Sequence, residues 1–185
     1  MMDYLKHLVR EWYEFQGYFV REAPWVGLGP DGSYECELDV VAYHPLHRHV
    51  VQVEPSFDLS PFEERAAHLR SKFDAGKKYL HRLFGTPPPP RLHIEQIALI
   101  ASPIEAPHVT IGGGRVLRLA QLVAEILQRF EELGPAAEAV SEQWPMIRTL
   151  QLAATCRQRP VPGRVSLAYA PAATPQFDPR SADDS

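Results

Sequence analysis

Apolar positions first recur at helical spacing. In MMDYLKHLVREWYEF, Leu5, Leu8, Val9, Trp12 and Phe15 form one stripe, which predicts an amphipathic helix. Asp3 is placed to cap it and Gly17 to end it. YFVREAPWVGL then reads as a strand with a proline irregularity, and GPDGS as a turn. YECELDVVAY reads as a second strand and HVVQVEP as a third. HPLHRH joins them and is short enough for an antiparallel pair.

Ser60, Pro61, Phe62 and Glu63 read as a capping box with proline at the first helical position. The helix behind them carries Phe62, Ala66, Leu69, Phe73, Leu80 and Leu83 on one side. Gly85 ends it, and the prolines at 87–90 make a stiff, extended connector. HIEQIALIAS is a continuous apolar run of the kind a buried strand shows. VTIGGGRVLRL holds a short strand or turn, with IGGGR as the turn, and AQLVAEILQRFEEL is an amphipathic helix. A last helix runs from the region of Ser141 to about Cys156, with Pro145 limiting its start. Beyond it, Pro, Ala, Ser and Asp replace large apolar groups, so 157–185 reads as an extended or disordered tail. The element order is α-β-β-β-α-β-β-α over a single domain, 1–156. The economical packing is an α/β fold, a mixed central sheet flanked by helices.

Composition narrows the function classes. A chain of 185 residues with 45% apolar content builds a core of ordinary size. The net charge of -4 shows no overall basic excess, so contact with nucleic acid would need a local basic groove. Cys36 and Cys156 form neither a CxxC pair nor a disulfide framework, and a reducing cytoplasm is the default expectation. The charged N-terminal stretch is not a signal peptide, and no run approaches the length of a membrane span. No GxSxG elbow supports serine hydrolysis.

Strand alternation carries the candidate chemistry. Glu35, Glu37, Asp39 and Val41 share one face of the second strand, and Gln52, Glu54 and Ser56 one face of the third. A hairpin loop of about six residues permits a register with Asp39 opposite Glu54, where cross-strand neighbours sit about 5 Å apart. Two carboxylates that close repel each other unless something positive sits between them. Mg²⁺ or Mn²⁺, hard cations with oxygen ligands, would meet that need and could activate water and hold a phosphate. The same alternation is routine on a solvent-facing antiparallel sheet, so the pattern alone leaves both readings open.

ELDVVAYHPLHRHVVQVEPS (37–56) resembles the core of the PD-(D/E)xK nucleases, the restriction-endonuclease-like superfamily, nearest to its Holliday-junction-resolvase and Mrr-like branches. There an acidic residue opens a DVVA-type strand, and a hairpin leads to a strand ending in Glu-x-Lys. The likeness covers about residues 3 to 130 and includes the element order. It implies a restriction-endonuclease-like core and Mg²⁺- or Mn²⁺-dependent hydrolysis of DNA. Asp39 would match the first metal-binding aspartate and Glu54 the acid of Glu-x-Lys, with the Pro55 carbonyl as a main-chain ligand. Glu11, beside the apolar stripe of the first helix, would be a third acid. Gln52, one pleat before Glu54, would touch substrate or the water. Many enzymes of this fold pair up to cut both strands, so a homodimer is part of the same expectation.

The departure is Ser56, which stands where the family has lysine and cannot supply its charge. Either a lysine reaches the site from SKFDAGKKYL, Lys72 before Lys77, or the domain binds nucleic acid or a protein partner without cutting. Lys77, Lys78 and Arg115 are candidates to line a nucleic-acid groove; a solvated basic face is the rival reading. HPLHRH offers three histidines without a visible fourth zinc ligand.

Overall fold

The computed structural model of the chain describes residues 3–57, 60–84, 92–101, 109–134 and 138–158. Its elements are α1 (Asp3–Phe15), β1 (Phe19–Glu22), β2 (Trp25–Leu28), β3 (Tyr34–Glu37), β4 (Val40–His44), β5 (His49–Ser56), α2 (Phe62–Leu83), β6 (His93–Ile100), β7 (Thr110–Ile111), β8 (Gly114–Arg118), α3 (Leu119–Leu133) and α4 (Pro145–Gln158). Six strands form one mixed sheet in the order β1-β4-β5-β6-β8-β7, and β2 and β3 form a separate two-stranded sheet. The β5–β6 and β6–β8 pairs are parallel. The architecture is α/β, a mixed central sheet flanked by helices. No helix among the described residues is long and apolar enough to cross a membrane.

Two expected strands are each broken. YFVREAPWVGL splits into β1 and β2, and YECELDVVAY into β3 and β4. The breaks face each other: the Ala23 N–H donates to the Asp39 carbonyl at 2.8 Å, and the Leu38 N–H to the Pro24 carbonyl at 3.1 Å. Pro24 cannot donate to a ladder, and Ala23 takes a positive φ of 49°. The chain therefore leaves the main sheet there, turns through the β2–β3 hairpin and returns at Asp39. The expected capping box at Ser60 is corrected too. Pro61 occupies the cap position of α2 without a side-chain cap bond, and the helix starts at Phe62. Helix α4 includes Arg157 and Gln158. Gly85, the proline run and the tail from 159 lie outside the described residues.

Helices cover both faces of the main sheet. Val51, Val53, Ile97 and Leu99 pack against α1, α3 and α4. Their strand neighbours Val50, Ala98 and Ile100 point the other way, toward α2. Burial on both faces explains why β6 reads as a continuous apolar run. Phe73 and Leu80 anchor α2, both fully buried, each worth about 1.5–3 kcal/mol. The IGGGR turn joins β7 to β8. At Gly112, φ is 59°, and a Cβ would come within 2.6 Å of the Arg70 backbone nitrogen. Only glycine lets this turn lie so close to α2.

β5 outruns its neighbour: its last partner on β4 is Val53 opposite Val40. Glu54, Pro55 and Ser56 project beyond with only β6 alongside. The Ser56 carbonyl accepts from the Ala101 N–H, so Ser56 faces β6. Alternation then turns Pro55 toward the open edge. A proline is tolerated there because no strand awaits its missing N–H.

Candidate active site

The open edge is where the acidic pair meets. Continuing the Val40–Val53 register sets Asp39 across from Glu54, and the Asp39 N–H donates to both Glu54 oxygens at 3.3 and 3.4 Å. Both carboxylates are buried, Glu54 at 0% and Asp39 at 6% exposure. The positive group between them is a side chain. Lys72 Nζ donates to Asp39 Oδ2 at 2.6 Å and to Glu54 Oε2 at 2.7 Å. Lys72 precedes the buried Phe73 and follows the buried Leu69 by one turn, so the packing of α2 aims it over the sheet end. Ser56, on the Glu54 face, is 8% exposed.

A second lysine arrives from the opposite helical layer. Lys6 on α1 places Nζ 2.7 Å from Asp39 Oδ1 and 3.8 Å from Glu37 Oε1. Asp39 lies just before β4 begins, where both layers can reach it. No motif singles out Lys6 in the sequence, because a lysine beside an apolar stripe is ordinary.

Beneath the pair lies an amide relay. Gln52 Nε2 donates to Glu54 Oε1 at 2.8 Å and to the Lys72 carbonyl at 3.1 Å. Gln96 Nε2 donates to Gln52 Oε1 at 2.8 Å and to the Phe73 carbonyl at 2.7 Å. Gln52 is fully buried, which corrects its expected contact with substrate: it holds Glu54 from below. The relay fits because α2 has glycine at 76. A Cβ there would stand 1.9 Å from Gln52 Oε1. Gln96 and Gly76 carry no local signal; each matters through a neighbour distant in sequence.

The charges divide unevenly. Burial raises the Asp39 carboxyl, but its hydrogen bond with Glu54 and the charges of Lys72 and Lys6 outweigh this and hold it below the usual range. Burial, reinforced by Asp39, pushes Glu54 up to about 8 against the pull of Lys72 and Gln52. For Lys72, burial opposes the charge, yet the two carboxylates raise its pKa overall. Lys6 behaves alike, with Asp39 outweighing burial. Both ammonium groups are charged at neutral pH.

Other expected site residues lie elsewhere. Glu11 is not with the acidic pair. It is 2% exposed, and its Oε2 accepts from the Met146 and Ile147 N–H groups at 2.8 and 3.1 Å. It caps α4 across the core, using a carboxylate where helix N–H groups lack partners. Glu11→Ala should therefore destabilise the fold by about 1–2 kcal/mol and leave any response to divalent cations unchanged. Thermal melting with and without Mn²⁺ checks both parts. Lys77 is 3.4 Å from Asp74, and Lys78 2.9 Å from Glu35. Arg115 binds Glu95 at 2.7 Å and shares the face of Leu117, which packs toward α1 and α3. It is thus across the sheet from Lys77 and Lys78, and the three do not line one groove. His44 and His49 border Tyr18 at the far end of β5, about 16 Å of strand from Glu54.

The donor set fits a hard cation. The Asp39 and Glu54 oxygens already converge on one positive centre, the Lys72 ammonium, and the Pro55 carbonyl faces the same open edge. Among the described residues, no group of three or more His, Cys, Asp and Glu side chains could hold a metal ion. Mg²⁺ commonly binds through one or two carboxylates and completes its shell with water and substrate oxygens.

No protein-family model matches the chain, and no curated protein matches it. Among solved structures, the chain is similar to a protein of unknown function, AF1548. The two are 16% identical, with a TM-score of 0.42 over 85% of this chain and 98% of that one.

Proposed function

We propose that this chain is a metal-dependent phosphodiesterase acting on DNA, with a PD-(D/E)xK-like site whose lysine comes from α2. The observation that carries the reading is Lys72 Nζ within 2.7 Å of both Asp39 and Glu54. An Asp, Glu and Lys set stands together although Ser56 replaces the motif lysine. Asp39, Glu54 and the Pro55 carbonyl would hold Mg²⁺ or Mn²⁺, which when bound polarises the phosphate and lowers the pKa of water. Lys72 is a donor only, so it orients the attacking water and a non-bridging phosphate oxygen and offsets charge on them. Gln52 keeps Glu54 aimed. Pairing of two chains to cut both strands belongs to the same proposal. Cys36 and Cys156 are free thiols, in keeping with a reducing cytoplasm.

One observation favours a second reading, a nuclease-like domain that binds nucleic acid or a protein without cutting. With Lys6 beside Lys72, the chain itself neutralises the acidic pair. Supercoiled and branched DNA incubated with Mg²⁺ or Mn²⁺ separates the two. Cleavage that falls on the order of a hundredfold in Asp39→Ala supports the enzyme. A parent that cuts neither DNA with either metal ends that reading.

A further inference from the structure

Two lysines converge on two carboxylates, so the cluster of Lys6, Lys72, Asp39 and Glu54 is at best neutral and never net negative. Each Asp39 oxygen is already taken, Oδ1 by Lys6 at 2.7 Å and Oδ2 by Lys72 at 2.6 Å. A divalent cation that bound Asp39 with both ammonium groups in place would leave a buried net positive charge. The departure of one ammonium group would halve that excess. Lys72 is held by two carboxylates, whereas the second acidic neighbour of Lys6, Glu37, is 3.8 Å away. Lys6 is therefore the looser of the two, and it reaches the site from the other helical layer.

We propose that Lys6 is a positioning residue that makes divalent-cation binding conditional on a phosphate. It occupies Asp39 Oδ1 in the free protein and transfers its ammonium to a phosphodiester oxygen when nucleic acid arrives, which frees Asp39 for the cation. The inference rests on the nuclease reading for the identity of the phosphate, and its test is read as metal binding rather than cleavage.

Mn²⁺ is titrated against the full chain, with and without a short DNA duplex, and bound ion is followed by electron paramagnetic resonance. Adding duplex should lower the half-saturating Mn²⁺ concentration of the parent about tenfold, the size of one charge-assisted hydrogen bond. Lys6→Gln should bind Mn²⁺ about tenfold more tightly than the parent without DNA and lose most of the duplex effect. Lys6→Arg, which keeps the charge, should behave as the parent does. If circular dichroism shows that Lys6→Gln does not fold, Lys6→Met is read in its place, and the duplex effect on the parent needs no variant. The inference is overturned if duplex leaves the parent's midpoint unmoved, if removing the Lys6 charge leaves it unmoved, or if no form binds Mn²⁺. The expected Mn²⁺ pattern without any cleavage would defeat the nuclease reading alone. Cleavage with unmoved midpoints would defeat the role of Lys6 alone.

Discussion

Lys72→Met is expected to lower the free energy of unfolding by about 3 kcal/mol at alkaline pH, where Glu54 as well as Asp39 is ionised, and the melting temperature by about 10 °C. Asp39 and Glu54 are buried side by side, and Lys72 is the cation they share. Removing it leaves Asp39 with Lys6 alone and Glu54 with Gln52 and a long contact to the Asp39 N–H. Placing Glu54→Gln in the Lys72→Met background should restore most of the loss, since Lys6 still balances Asp39 and the uncompensated charge is the one on Glu54. A melting temperature within about 2 °C of the parent's would mean that the acidic pair does not depend on this ammonium.

The pH profile adds a signed check. Folding raises the Glu54 carboxyl from 4.5 to about 8, so the native state keeps a proton that the unfolded chain releases. Its contribution is complete below about 4.5 and is lost as pH climbs through about 8. Asp39 has the opposite sign: its pKa is lowered from 3.8, so its contribution holds above that value and fades as pH falls. Glu54→Gln should remove the alkaline-side decline and leave the acid-side one.

The second large effect is expected at Gly76. In an ordinary helix interior, Gly→Ala stabilises by about 1 kcal/mol. Here the sign should reverse, to a loss of about 2–3 kcal/mol. The new Cβ would stand 1.9 Å from Gln52 Oε1 and 2.7 Å from Gln52 Cδ. Gln52 is wedged between Glu54, Gln96 and the Lys72 carbonyl and has nowhere to retreat. Its displacement also frees Glu54 to turn, so any Mn²⁺ response should weaken together with stability. Chemical denaturation measures the first effect and Mn²⁺-dependent melting the second. A stabilised Gly76→Ala would refute the close approach of α2 to the relay.

The meeting of Asp39 and Glu54 was legible because two rules act together: strand side chains alternate, and a short loop leaves few registers. Lys72 was legible for a related reason, since Leu69 and Phe73 fix the face of α2 and thus the direction of the residue beside them. The break before Asp39 was not legible. Alternation runs from Tyr34 through Asp39 to Val40 without a gap, and only Pro24, on another strand, hints at a departure. Glu11 shows the limit of helical periodicity. The pattern places it beside the stripe of α1, but not which element lies against that flank. Lys6 escaped for the converse reason, since its partner lies in the sequence motif and the lysine itself does not.

The bond between Glu11 and the Ile147 N–H spans 136 positions of sequence. Its donor is absent while the first six strands and α2 are being synthesised. The earliest of the described helices to leave the ribosome thus carries a carboxylate whose buried partners are among the last residues of the described fold to emerge. Contacts of such range are slow to close, and domains are built N-terminus first during synthesis. A nascent chain stalled before residue 146 should hold its sheet without a finished α1, and a protease added then should find the N-terminal helix open.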